Sequence, residues 1–501
     1  MRRARTPHAT FVAVVTAAAV AALALGGASG LLLPITATAQ VAPPDIPPFA
    51  PTAPTDAAAD SIADAVADAA ADSVDAEPRV THPVRAFAEV TGVNLLVWSY
   101  NRYLREGGGE GFKIGWSAWN ENFENGFDWD PNNFSTNQWA HPFHGSLYYN
   151  AARSNGYNYW ESMGFAFAGS FQWEFLGEAR HPSINDWVNT SVGGASLGEM
   201  THRLAAEVRD NSATGAGRVG REIAGLAIDP MGGVTRMLSG EWGRVEPRAA
   251  AKPTSSALHM RFRFGARTVY DQEFNGADTT GAFLQAQFAY GSPFQKRFRR
   301  PYDHFTATVQ VNFNDRQTLG QVTVAGMLAR KRLPGGAKAE HVLAAYQHYD
   351  YLNNRAFELG GQSFSAGVLS RFGTPSPKYR FETALQLTGV LLGATKSDYA
   401  NQTSRSYDYG PGYGVRFAGA FSRDTWDILR IGYYDFFLFT VNGNRGKHRL
   451  RLTFLGASVP LSRATALGAE YQLYVAERQY ADFLQVDDRS PQLQLYARAQ
   501  F

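Results

Sequence analysis

Leu493-Gln494-Leu495-Tyr496-Ala497-Arg498-Ala499-Gln500-Phe501 closes the chain, and its alternation decides how the rest is read. Leu493, Leu495, Ala497, Ala499 and Phe501 share one face of an extended strand, and Gln494, Tyr496, Arg498 and Gln500 share the other. A side-chain period of two with one apolar face suits a strand between lipid and a polar lumen. The same period recurs upstream. Phe305, Ala307, Val309, Val311 and Phe313 alternate with Thr306, Thr308, Gln310 and Asn312. Leu450, Leu452 and Phe454 alternate with Arg449, Arg451 and Thr453, and Leu467, Ala469, Tyr471, Leu473 and Val475 with Glu470, Gln472 and Tyr474.

About twelve such segments occur, starting near Met260, Leu284, Phe305, Val322, His341, Phe364, Arg380, Tyr413, Ile428, Lys447, Ala466 and Gln492. The fold class read from them is all-β with a helical region. It is a transmembrane antiparallel β-barrel of about twelve strands over 246–501, with ten or fourteen as neighbouring even counts. A soluble β-sandwich would not need aromatic ends on so many strands. The polar insert from Lys396 to Tyr409 reads as an extracellular loop. Phe501 resembles the terminal signal that bacterial outer-membrane barrels present to their assembly machinery. That machinery and outer-membrane lipid are therefore the expected partners; the oligomeric state stays open.

The totals agree. Aromatic residues make up 13% of the 501, which favours β-structure with aromatic girdles. A mean hydropathy of −0.28 argues against a bundle of spanning helices, whereas a barrel needs only alternate residues to be apolar. A net charge of +2 gives no polyelectrolyte footprint, so no nucleic acid is expected. The absence of Cys excludes disulfides and thiolate metal sites.

Arg2, Arg3 and Arg5, an apolar run from Phe11 to Leu33 and Ala37-Thr38-Ala39 read as a cleaved signal peptide over 1–39, with an uncleaved anchor helix as the alternative. Residues 40–81 read as a disordered linker, rich first in Pro and then in Asp56, Asp60, Asp64, Asp68 and Asp72. Four-residue spacing would put those carboxylates on one side of a helix, where they repel; a helix docking a basic partner is the sharper alternative. Residues 82–245 read as a helical periplasmic or membrane-surface domain. Its helices are expected over Val90–Tyr103, Gly145–Ser154, Trp160–Gly177 and Ile184–Val208, with an ordered loop over Phe127–Thr136. Gly, Ala and Ser beside large aromatics allow close helix packing. A barrel of about twelve strands is too narrow to hold these helices, which places them at the periplasmic mouth with one segment entering.

The densest cluster of unusual residues runs from Asn137 to Arg203: His141-Pro142-Phe143-His144-Gly145, Ser154-Asn155-Gly156, Trp160-Glu161, Trp173-Glu174 and Pro182-Ser183-Ile184-Asn185-Asp186. From Trp119 to Arg203 the chain resembles a bacterial family known as domain of unknown function 3943. The resemblance implies an envelope protein and carries no established activity.

Candidate catalytic residues are His141, His144, Glu174, Asp186 and His202. His141 and His144 are three apart and could face one ion, with His202 and Glu199 completing a set. Pro142 makes a regular helix through the pair unfavourable, and histidines that tie helix ends are commoner, so no metal and no cofactor are expected. His181 and Asp186 have the spacing of a glycerolipid acyltransferase pair, but Ser183 and Asp186 more simply start a helix. No nucleophile elbow stands out. Pro142, Gly145, Gly156, Gly194 and Gly198 read as structural. If apolar residues face lipid, then Arg261, Arg263, Arg380, Arg449, Arg451 and Arg498 point into the lumen. Glu382 and Glu470 offset part of that charge, leaving a lumen that favours anions or pairs with Glu161, Glu174, Glu178 and Glu199 of a plug. The functional expectation is an outer-membrane barrel of unknown activity, a narrow pore or structural component. The alternative is an envelope lipid- or glycan-modifying enzyme using the His141–His202 cluster.

Overall fold

The computed structural model describes residues 79–501 apart from 106–108, 247–257, 272–276, 314–316, 337, 355–356, 374–377 and 400–404; the segments expected as a signal peptide (1–39) and, for nearly all of its length, a linker (40–81) lie outside the described residues. The period-two segments become twelve strands: β1 Leu258–Asp271, β2 Ala277–Tyr290, β3 Phe305–Asn312, β4 Leu319–Gly336, β5 Ala339–Asn354, β6 Phe357–Phe372, β7 Tyr379–Lys396, β8 Tyr407–Arg423, β9 Trp426–Phe439, β10 Gly446–Pro460, β11 Thr465–Tyr480 and β12 Val486–Gln500. Each pairs antiparallel with the next, and β12 returns to β1 to close the ring. Every expected segment start falls inside a different strand. Closure leaves no free edge, so each strand's N–H and C=O groups find partners without water.

Register separates two faces. Arg263 stands opposite Gln285 and Arg498, and Gln285 opposite Gln310, on the inner face. Cross-lumen ion pairs confirm that face: Arg263 Nη1 lies 2.9 Å from Glu470 Oε2, and Arg261 Nη1 2.6 Å from Asp427 Oδ2. On the other face Leu385, Leu387, Ile431, Leu455, Leu467, Leu493 and Leu495 are 44–59% exposed, an apolar exterior of the kind lipid solvates.

The interior is filled by side chains. Val269, Leu352, Leu359, Phe436, Leu438, Leu450, Tyr474 and Ala476 form one buried cluster, drawn from strands on opposite sides of the ring. Nearer Phe501, the β2–β3 connection turns inward. There Phe294 packs with Met327, Val342, Ala344, Tyr346 and Leu369. Arg330 and Arg332 donate to the Pro293 and Phe294 carbonyls, and the Arg371 guanidinium lies 4.2 Å from the Phe294 ring centre.

This corrects the reading of β10. Leu450 and Leu452 face the lumen, so Arg449 and Arg451 face outward with Leu455. Arg449 Nη2 pairs with Asp435 Oδ2 at 2.8 Å and Arg451 with Glu477, so each outward cation carries its own acid.

The helical region comprises α1 Pro83–Tyr103, α2 Trp116–Asn125, α3 His141–Ser154, α4 Tyr159–Gln172, α5 Ile184–Val188, α6 Gly194–Val208, α7 Gly215–Ile228 and α8 Pro230–Leu238. One-turn π segments at Trp173–Gly177 and Asn189–Gly193 fall within the longer runs expected from sequence, and a third at Thr136–Ala140 leads into α3 ahead of the expected helix start. Pro142 sits where the π segment runs without a break into α3, and the preceding carbonyls it cannot reach find side chains instead: Asn137 O accepts from Asn189 Nδ2 at 3.2 Å and Gln138 O from Tyr349 Oη at 2.6 Å. Gly145 and Gly194 set the crossing of α3 with the start of α6. A Cβ on Gly145 would lie 1.7 Å from the Thr190 carbonyl oxygen, and one on Gly194 2.4 Å from the Gly145 carbonyl carbon. Gly156 turns the chain at φ +91°, and Gly198 abuts the Tyr149 ring.

These helices neither enter the barrel nor sit at its mouth, as sequence had placed them; they lie along its outer wall. Gln347, Tyr349, Tyr351 and Asn353 of β5 alternate with lumen-facing His348, Asp350 and Leu352, and it is the outward set that meets the helical layer. Gln347 Nε2 donates to Val192 O (2.9 Å), Tyr349 Oη to Gln138 O (2.6 Å), and Tyr351 Oη bonds Ser135 Oγ (3.1 Å). Tyr407 and Tyr409 of β8 accept from Asn137 and Gln138, and Tyr302 bonds Ser196.

Phe501 joins β1 through two backbone bonds to Met260, 2.9 and 3.1 Å long, and sets its ring against Phe262. Deleting Phe501 should abolish heat-modifiable gel mobility and membrane insertion; normal insertion would show that closure does not depend on it. Gly145→Val should cost at least the roughly 1–3 kcal/mol of an overpacked core, because backbone rather than a flexible side chain fills the space. Limited proteolysis should then cut the helical layer while the barrel resists, and a resistant helical layer would refute the close crossing.

Candidate functional site

Three segments far apart on the helical layer bring acids and an imidazole together. Asp130 lies on the 126–133 loop, His141 opens α3, and Asp186 sits in the first turn of α5. The loop is tied to α5 by Asp128 N–H donating to Pro182 O (2.7 Å) and Ile184 N–H to Asp128 O (3.0 Å). Asn185 then bridges the two acids: its Oδ1 accepts from the Asp130 N–H at 2.9 Å, and its Nδ2 donates to Asp186 Oδ1 at 2.8 Å. His141 Nε2 lies 3.7 Å from Asp186 Oδ2, and one donor atom from each of Asp130, His141 and Asp186 falls within 4.8 Å of the others. Thr190 Oγ1 meets His141 Nδ1 at 3.3 Å.

Glu174 and Glu178 add to the cluster from the π turn after α4 and the residue beyond it. Glu174 Oε2 accepts from the Ser183 N–H, and Glu178 Oε1 from Trp173 Nε1. Arg405, from the β7–β8 connection, donates to the Asp130 carbonyl at 3.0 Å and lies over the Tyr407 and Tyr409 rings.

Burial governs the electrostatics. It pushes the Glu174 and Asp186 carboxyls well above the usual range, with Glu178 next in effect on the former and Asp130 on the latter. Glu178 is pushed up to about 7 by burial, then by Asp130. His141 is held down by burial against the pull of Asp130, and His144 falls to about 3 through burial and the neighbouring His141.

Of the residues singled out from sequence, His141, Glu174 and Asp186 come together; His144 and His202 do not join them. His144 Nε2 bonds Tyr148 Oη at 2.9 Å, and its ring packs on Trp173. His202 Nδ1 faces Asp229 Oδ2 at 3.6 Å. Glu199 cannot complete a ligand set with it, because Arg153 (2.7 Å) and Arg203 (2.8 Å) hold both its oxygens. His181 is half-exposed near Glu121 rather than paired with Asp186. Ser183 precedes α5 but makes no side-chain cap. Sequence reading misses Asp130 and Arg405, and takes Glu178 only as a plug acid. Asp130 sits in the loop expected over Phe127–Thr136, which is rich in Asp and Asn; nothing in sequence links Arg405 to it.

In the lumen Arg380 pairs with Glu382 at 3.1 Å, and Arg498 lies 4.7 Å from the Trp426 ring centre. None of Glu161, Glu174, Glu178 and Glu199 reaches these cations; Glu161 pairs with Arg79.

Glu178 generates a pH prediction. An exposed glutamate loses its proton near pH 4.3 and this one near 7, so between those values the folded chain binds more protons than the unfolded. Its contribution is full below the lower value and is lost as pH rises through the upper. Melting temperature should fall between about pH 5 and about pH 8, and Glu178→Gln should remove that part of the slope. An unchanged slope would contradict the assignment. His144→Gln should assemble normally by the same heat-modifiability measurement.

Residues 126–231 match the family described as Domain of unknown function (DUF3943), a span that includes every acid and the imidazole of this cluster. No curated protein matches. Among solved structures, the outer membrane channel DcaP of Acinetobacter baumannii is 11% identical over 49% of this chain and 96% of that one, with a TM-score of 0.23. Omp33 of the same organism is 11% identical over 49% and 100% (TM-score 0.20), and an anion-selective porin from Comamonas acidovorans 9% over 49% and 100% (TM-score 0.18). This chain is thus similar to a domain of unknown function over its helical layer, while its barrel assignment rests on its own closed strand order.

Proposed function

We propose that this chain is a structural outer-membrane protein whose filled barrel anchors a lipid-facing helical layer, rather than a passage for solutes. One observation carries the reading: the apolar cluster joining β1, β5, β6, β9, β10 and β11 across the lumen, in which Leu450 is fully buried. An aqueous channel would expose those groups, and water avoids such a constriction. The export signal and Phe501 support delivery to the outer membrane through the barrel-assembly machinery.

The polarity of the helices supports lipid as their surroundings. α1 exposes Phe87, Leu95, Leu96, Tyr100 and Tyr103 while burying Glu89, Asn94 and Asn101. α7 exposes Val219 and Ile223 and buries Arg218 and Glu222; α8 exposes Met237 and Leu238. Charges inside and large apolar groups outside invert the arrangement that water selects. The buried groups have partners: Asn155 and Thr235 donate to Glu89, and Arg236 pairs with Glu222 at 2.7 Å. Among the described residues no helix is long and apolar enough to cross a membrane, so the layer leans on the barrel wall instead of spanning alone. Against the enzyme reading, Thr190, the hydroxyl on His141, is buried and closed to substrate.

Purified protein in planar bilayers should give no sustained current, and Phe436→Ala with Leu450→Ala should create one; a steady ion-selective current from the wild type would defeat the scaffold reading. Because the chain has no Cys, Leu96→Cys gives a unique spin-label site. Its collisions with oxygen should exceed those with a water-soluble nickel chelate; the reverse order would place the layer in water.

A further inference from the structure

We propose that Asp130, His141 and Asp186 form a binding site for one divalent transition-metal cation that accepts mixed imidazole and carboxylate ligands, as Zn²⁺ and Mn²⁺ do. Nothing in the barrel reading requires this site, and the sequence had led to no metal.

The spacing is the first argument. Ions bound at about 2.0–2.2 Å hold neighbouring ligand atoms about 3.0–3.6 Å apart at right-angled to tetrahedral geometry. The His141 Nε2–Asp186 Oδ2 separation of 3.7 Å is too long for a hydrogen bond and close to that span, and one ligand atom from each of Asp130, His141 and Asp186 lies within 4.8 Å of the others. A small movement of three side chains would complete the set.

Orientation is the second. A metal-binding imidazole offers one nitrogen to the ion and engages a fixed partner with the other. His141 does this: Nδ1 meets the buried Thr190 hydroxyl, leaving Nε2 turned toward the carboxylates. Asn185 bonds both the Asp130 backbone and the Asp186 carboxylate, so a single residue fixes the two acids relative to each other.

Charge is the third. Asp130, Glu174 and Asp186 are buried, Glu178 lies beside them, His141 supplies an imidazole, and the neighbouring cation, Arg405, donates to the Asp130 backbone carbonyl. Buried carboxylates at this density persist when paired or when they coordinate a cation. Imidazole among the donors favours a transition metal over Ca²⁺, which takes six to eight oxygens.

The test uses the full-length protein in detergent, stripped with a chelator and dialysed against Zn²⁺ or Mn²⁺ alone, with bound metal counted by mass spectrometry. We expect one ion per chain in the wild type and in His202→Gln, whose imidazole belongs to the Asp229 cluster. His141→Gln and Asp186→Asn should each weaken binding by at least about tenfold while keeping heat-modifiable mobility. No bound ion in the wild type, or unchanged binding in both variants, would overturn the site. Should those variants fail to fold, X-ray absorption of the zinc-loaded wild type decides: one imidazole with oxygen donors at about 2.0–2.1 Å supports the proposal, and no imidazole or several overturns it.

Discussion

The β1–β12 ladder is the contact on which the rest depends. From Arg261 opposite Gln500 to Val269 opposite Gln492, it joins the ends of the barrel sequence and turns an open sheet into a ring. In hydrocarbon an unpaired strand edge would strand a row of polar groups, each costing several kcal/mol, so partial closure has no stable counterpart. Closure also fixes which residues share the lumen. Arg263 and Glu470 are separated by more than two hundred residues yet meet because β1, β12 and β11 are neighbours around the ring.

The ring is not uniform around its circumference. Over β7 and β9 to β12 the outer wall carries Leu, Ile and Ala, but on β5 and the upper part of β8 it carries Gln347, Tyr349, Tyr351, Tyr407 and Tyr409. Those groups would be costly against lipid and are satisfied by helical backbone carbonyls and amide side chains instead. Wall and helical layer therefore complete each other: the wall supplies bonds to the helices, and the helices present an apolar surface in its place.

Within that layer, small residues let backbones approach, and close approach is what buries the acids. With Gly145 and Gly194 in contact, α3 lies against the 189–193 turn, which puts His141 beside Thr190 and over Asp186. A second charged group, Glu199 with Arg153 and Arg203, is neutralised internally and so stays ionised, its carboxyl held well below the usual range by the two guanidiniums despite burial. Beside the His141 group the cation is Arg405, which donates to the Asp130 backbone carbonyl and lies over the Tyr407 and Tyr409 rings.

Alternation by itself located about twelve strand segments, because a period of two survives in any sheet and the pattern of one strand does not depend on its neighbours; the closed ring fixed their number at twelve. It could not determine which face of β10 meets lipid. Leu450 and Leu452 suit a dry lumen as well as a bilayer, and only the register with Phe436 and Ala476 puts Arg449 and Arg451 outside. The helices were legible from composition, and their position was not, since the signal for it lies in outward-facing residues of strands two hundred positions away. His141, Glu174 and Asp186 stood out as residue types in one dense stretch. Asp130, Glu178 and Arg405 joined them only through the fold: a loop pinned to α5, a π turn that redirects the chain after α4, and a barrel connection that reaches across to the helical layer.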